Sequence, residues 1–146
     1  MCIRDRAFYP LMDVKYWDEK AQPREFTREA RVYFPRTVAM VKRLPFSQVG
    51  RCNIMGLEAH DHGTVHCDGD VATQVEPDHF ITLVPRPNKR LFLWDEDTRR
   101  KSPVTGRAYW FNDFDYHGVE ADPFFRYSIR VDGVFDAAFL ARLKQA

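Results

Sequence analysis

After Pro45 the spacing of apolar residues changes from the period of a helix to the period of a strand, and it keeps that period almost to the end of the chain. Short apolar runs alternate with turn-forming residues. The runs Gly50–Glu58, Thr64–Asp68, His79–Val84, Arg90–Trp94, Arg107–Phe111, Tyr116–Val119 and Phe125–Val131 are therefore predicted as strands. Gly63 supplies one turn and PRPNK another, and Gly69–Pro77 and Asp95–Gly106 read as loops. Before the change of period, a helix is predicted over Pro35–Leu44, since proline is tolerated in a first helical turn and Pro45 ends the run. An amphipathic helix over Phe135–Lys144 closes the chain. Residues 7–26 are aromatic but aperiodic and read as an irregular arm. Seven short strands between two helices predict a mainly β fold, a double-sheet jelly roll with flanking N- and C-terminal helices.

The 146 residues suffice for one domain with one core. The start, MCIRDR, reads as a non-native leader, so residues 7–146 are expected to form a single domain whose own N-terminus is truncated. No apolar run approaches the roughly 20 residues of a membrane helix. Lys and Arg total 22 against 21 acids, and this balance argues against a nucleic-acid partner. In Lys89–Ser102 the basic residues are interleaved with Asp95, Glu96 and Asp97, the pattern of a solvated hairpin. Cys2, Cys52 and Cys67 form neither a spaced metal motif nor an even-numbered disulfide set, so a reducing, cytoplasmic compartment is expected.

Chemistry enters at His66-x-Asp68. Residues i and i+2 of a strand point to the same side, so this pair offers an imidazole and a carboxylate together, with Cys67 facing away. Two imidazoles and one carboxylate on one face of iron(II) leave positions open for a cosubstrate and dioxygen. His117, on a later strand, can supply the second imidazole. With 5 histidines and 21 acids, a His-x-acid pair arises by chance about 0.7 times in this chain, so the pair alone decides nothing. Its position adds weight: it follows a strand and a glycine turn, and Arg126-x-Ser128 comes after His117 on the final strand. A buried arginine can grip the far carboxylate of a dicarboxylate bidentately, and a serine on the same strand face adds a hydroxyl donor. Arg130 shares that face and is the competing anchor, or a clamp for an acidic substrate.

The order His66-x-Asp68, His117, Arg126-x-Ser128 resembles the iron(II)- and 2-oxoglutarate-dependent oxygenases, over roughly Gly50 to Val131. The resemblance implies a double-stranded β-helix core, iron held by His66, Asp68 and His117, and 2-oxoglutarate bound through Arg126 with Ser128. It also implies dioxygen as oxidant and hydroxylation of a small molecule or peptide side chain. The segment RCNIMGLEAHDHGTVHCD is similar to the strands preceding the metal motif in the aspartyl/asparaginyl and free proline hydroxylase branches. The chain departs from those branches in lacking an Arg-x-His pair within His79–Pro85.

Two readings from other classes stand beside this one. A cupin-type metalloenzyme independent of 2-oxoglutarate would draw ligands from His60, His62, His66 and His117. A non-catalytic jelly-roll binding module would hold no redox metal at all. Trp110, Asn112 and the acidic FNDFD stretch around them are candidates for shaping a pocket beside His117.

Overall fold

The computed structural model describes residues 7–13, 24–86 and 90–145. The leader, the part of the N-terminal arm holding Tyr16 and Trp17, and the last three residues of the PRPNK turn lie outside them. The described residues form nine strands and three helices in the order β1 (Ala7–Pro10), α1 (Arg28–Tyr33), α2 (Pro35–Val41), β2 (Phe46–Leu57), β3 (Gly63–His66), β4 (Phe80–Leu83), β5 (Leu91–Asp95), β6 (Arg100–Pro103), β7 (Ala108–Tyr109), β8 (His117–Val119), β9 (Arg126–Phe135) and α3 (Ala137–Leu143). The fold is mainly β. Two antiparallel sheets run β1-β2-β9-β4-β7 and β3-β8-β5-β6, consistent with a β-sandwich. No described helix is long and apolar enough to cross a membrane.

Several local expectations are corrected. Residues 28–33 form α1, because Thr27 caps them: its Oγ1 accepts from the Ala30 N–H at 3.0 Å. The helix stops at Phe34, the residue before Pro35, where the proline ring disfavours helical backbone, and Pro35 then opens α2. The polar segment Asp95–Gly106 is not all loop. Arg100–Pro103 pairs with Phe92–Asp95 as an exposed hairpin, which suits the interleaved charges of that region. Part of the N-terminal arm is a strand, since Ala7–Pro10 pairs with Asn53–Gly56. The last strand runs to Phe135, four residues beyond its expected end. Asp136 then caps α3 by accepting from the Phe139 N–H at 2.7 Å.

The larger sheet has two unlike faces. Alternate residues of β2 and β9, among them Cys52, Ile129 and Val131, join Leu11, Met12, Phe26, Ala30, Val38 and Val41 in a core under the two leading helices. Each fully buried large aliphatic side chain in this layer contributes roughly 1.5–3 kcal/mol. The residues between them point the other way, toward the smaller sheet: Arg126, Ser128, Arg130 and Asp132 on β9, Arg51 and Asn53 on β2, and Thr82 on β4. A second apolar cluster, Phe80, Leu91 and Phe111 with Leu93 and Val119 packed against it, joins the sheets beside that polar strip. The helix-covered face is closed by apolar residues, and the charged residues of β2 and β9 are gathered on the facing side.

Cys52 sits in the first core with no exposed surface. Burial, reinforced by the nearby Asp132 charge, pushes its thiol up to about 12. A raised thiol pKa favours the neutral form, so its contribution to stability is complete below the ordinary thiol pKa and fades as pH climbs toward 12. At pH 8 iodoacetamide is expected to label the exposed Cys67 and to spare Cys52 until the protein unfolds. Mass spectrometry of the labelled peptides checks this, and equal labelling of both in the folded chain would contradict it.

Candidate metal centre

Strands β3 and β8 pair so that His66 lies directly opposite His117, and the two rings sit 4.4 Å apart, centre to centre. The close approach of these strands depends on Gly118. A Cβ there would come within 2.6 Å of the Phe92 ring and 3.0 Å of the Gly63 carbonyl oxygen. Asp68 lies just past the end of β3, not on it, and backbone contacts hold it. The Asp113 carbonyl accepts from the N–H of Asp68 at 3.1 Å and of Gly69 at 2.9 Å. A Cβ on Gly69 would meet the Phe114 ring at 2.5 Å and the Asp113 carboxylate at 2.9 Å, so this turn also requires glycine.

Each imidazole is oriented by its own chain. His66 Nδ1 lies 2.7 Å from the Thr64 carbonyl, and His117 Nδ1 lies 3.2 Å from the Asp115 carbonyl. A carbonyl can only accept, so each Nδ1 carries a hydrogen, and it is the neutral ring that then presents a lone pair from Nε2. Both lone pairs face Asp68: His66 Nε2 is 3.2 Å from Oδ1, and His117 Nε2 is 3.8 Å from Oδ2. The three ligand atoms all fall within 4.8 Å of one another. Neighbouring ligands of one ion held about 2.1 Å from each are roughly 3 Å apart, which these separations approach.

Three acceptors at such range need something positive among them, either a proton or a cation. Burial lowers the pKa of His117, which works against the proton. Burial alone would raise that of Asp68, but a hydrogen bond from His66, made when a proton sits on its Nε2, and the charge of Arg130 outweigh it and hold the carboxyl well below the usual range. Neutral imidazole and ionised carboxylate are the forms that bind metal. The donor set therefore fits a divalent ion.

Around the ligands the walls differ. The Phe111 ring lies 4.6 Å from the His117 ring and supplies an apolar side. Arg130 supplies the cationic side: its Nη1 donates to Asp68 Oδ2 at 3.1 Å, its Nε to Asp132 Oδ1 at 3.0 Å, and its guanidinium stacks 4.0 Å over the Phe80 ring. Asp132 is also held below the usual carboxylate range. Its burial is outweighed by Arg130 and Arg51.

The remaining sequence candidates fall into place around this group. Arg126 has a fully enclosed side chain whose guanidinium donates to the Glu120 carbonyl (2.6 Å), the Asp61 carbonyl (2.7 Å) and the Asp122 carboxylate (3.2 Å), tying two loops together. Ser128 is buried between Arg126 and Arg130 on the same strand face. His60 and His62 are exposed and lie outside the ligand group. The FNDFD stretch is scaffolding. Asn112 Oδ1 caps the turn at the Phe114 N–H, buried Asp113 accepts from the Asp78 N–H, and the Asp115 carbonyl orients His117. Trp110 donates to the Asp78 carbonyl at 2.9 Å. Asp132 is a structural residue of the site that sequence reasoning missed; an acid in a β-rich chain carries no mark of which strand it will face.

Neither a scan against models of known protein families nor a search of curated proteins finds a match to this chain.

The Gly118→Ala variant is expected to push β3 away from β8 and to weaken binding of manganese(II) alone by roughly tenfold. Titration calorimetry on the folded variant reads this directly. Unchanged affinity would show that the strand spacing does not set the ligand geometry.

Proposed function

We propose that this protein is a non-haem iron(II)- and 2-oxoglutarate-dependent dioxygenase built on a jelly-roll, double-stranded β-helix core, which hydroxylates a small molecule or a peptide side chain. The observation that carries the reading is the convergence of two Nε2 lone pairs and one carboxylate on a single point, flanked by an arginine. Two histidines and one carboxylate on one side of an ion form the donor set of oxygen-activating iron(II), with positions left for cosubstrate and dioxygen. Strand order supports the fold. Setting β1 aside, strands β2 to β9 form two rows of four, β2-β9-β4-β7 and β3-β8-β5-β6, with successive strands passing between the sheets except at the β5–β6 hairpin, as in a jelly roll.

His66, Asp68 and His117 would hold the iron, which with 2-oxoglutarate as co-reductant and dioxygen as oxidant would supply the chemistry to hydroxylate an unactivated C–H bond. The chain's own residues provide the charge. With a divalent ion in place, the ion and the cations Arg51 and Arg130 outweigh the anions Asp68 and Asp132, so the facing side of the sheet attracts an anion. Arg130 is the better anion contact of the two arginines on β9. Its side chain keeps 14% of its surface accessible, whereas that of Arg126 keeps 0% and is already engaged by three protein groups. Arg126 then acts by tying loops, with Ser128 packed beside it, and Arg130 receives the cosubstrate carboxylate. Phe111 keeps the His117 side dry.

Anaerobic addition of iron(II) and 2-oxoglutarate is expected to give the visible charge-transfer band of the chelate, and His66→Ala should abolish it. Arg130→Ala is expected to weaken cosubstrate binding by tenfold or more, and Arg126→Ala chiefly to lower the melting temperature. Oxygen uptake indifferent to 2-oxoglutarate would instead support a cupin-type enzyme. A larger loss of cosubstrate binding in Arg126→Ala would return the anchor to that residue.

A further inference from the structure

Of the three ligands, Asp68 is the least supported by its own strand. It follows the end of β3, and its side chain is more exposed than that of either histidine. Yet one of its oxygens is fixed from the opposite sheet by a row of alternating charges. Arg51 on β2 grips Asp132 on β9 with two donors, Nε to Oδ2 at 2.7 Å and Nη2 to Oδ1 at 3.2 Å. Asp132 Oδ1 accepts from Arg130 Nε at 3.0 Å, and Arg130 Nη1 donates to Asp68 Oδ2 at 3.1 Å. The row is anchored in regular structure: Arg51 and Phe80 both stand opposite Asp132 in the strand register, and Arg130 lies flat on Phe80, which is completely buried.

We propose that Arg51, Asp132 and Arg130 are positioning residues that hold Asp68 Oδ2 away from the metal, so that Asp68 meets the ion through Oδ1 alone. Oδ1 is the oxygen facing His66 Nε2 at 3.2 Å. A carboxylate free to rotate can turn both oxygens to an ion and fill a position that the ligand arrangement otherwise leaves open. The planar fork of Arg130 prevents that, because two of its donors, Nε and Nη1, are committed in different directions to two carboxylates. A lysine, carrying the same charge on one point, cannot span both. Stability alone does not call for such a row, since buried ion pairs can be replaced by packed apolar residues at little cost. Its end at a ligand oxygen is what gives it a use. The inference rests on the metal reading above and concerns how that ligand is presented.

The test uses cobalt(II) alone, titrated into the full chain and followed by its visible ligand-field absorption, without cosubstrate. Wild type is expected to bind one ion. Arg51→Met, Asp132→Asn and Arg130→Lys are each expected to weaken binding by roughly tenfold to a hundredfold. Each should also lower the molar absorption, as a released Asp68 turns both oxygens inward and raises the coordination number. Folding is checked by circular dichroism. Arg51, the most exposed of the three positioning residues, supplies a variant that folds if the buried ones do not. Folded variants with wild-type affinity and spectrum would overturn the relay while leaving the metal site intact. Wild-type behaviour of Arg130→Lys would show that charge suffices, and would overturn it too. A wild-type chain that takes up no cobalt would remove the metal reading itself.

Discussion

The pairing of β3 with β8, His66 opposite His117, is the interaction on which the site depends. Antiparallel register places two imidazoles side by side without any loop having to find its conformation first. The rest of the site completes that pair. Gly118 allows the strands their spacing, the carbonyls of Thr64 and Asp115 aim the rings, and the Asp113 carbonyl draws the chain back after β3 so that Asp68 closes the triangle. A slip of one residue in either strand would turn one imidazole to the opposite face and undo the site at once.

A second constraint is the division of labour across the larger sheet. One face of β2 and β9 is apolar and closed by two short helices; the other carries arginines, an aspartate, a serine and an asparagine toward the smaller sheet. Buried charge is costly unless it is paired. Here every arginine of the facing side has a carboxylate beside it, Arg51 and Arg130 sharing Asp132, and Arg126 held by Asp122. Stability and site chemistry are thus kept on opposite sides of the same strands. That separation lets a chain of this size maintain a polar interior.

Strand alternation was the legible part of the sequence. It located every strand that carries a site residue, and the i, i+2 rule brought His66 and Asp68 together even though Asp68 lies just beyond the strand end. The same rule put Arg126 and Arg130 on one face but could not say which is accessible. That is decided by Asp61, brought from a distant loop, and by Glu120 and Asp122 in the loop just before β9, which together enclose Arg126. Helix α1 was hidden because its six residues leave only Ala30 buried, too little for an amphipathic pattern. Strand β6 was hidden for the opposite reason: Arg100–Pro103 is exposed throughout and is a strand only because β5 supplies its hydrogen bonds. The acidic FNDFD stretch drew attention as pocket chemistry, and its work is done largely through backbone carbonyls and turn caps, which side-chain identity does not reveal.

The central claim is that residues 66, 68 and 117 share one ion. Crystals of the chain grown with manganese(II) and measured near the metal's absorption edge test this most directly. The account predicts a single anomalous peak bounded by the two Nε2 atoms and an oxygen of Asp68. A peak at His60 or His62, or none between the paired strands, would contradict it.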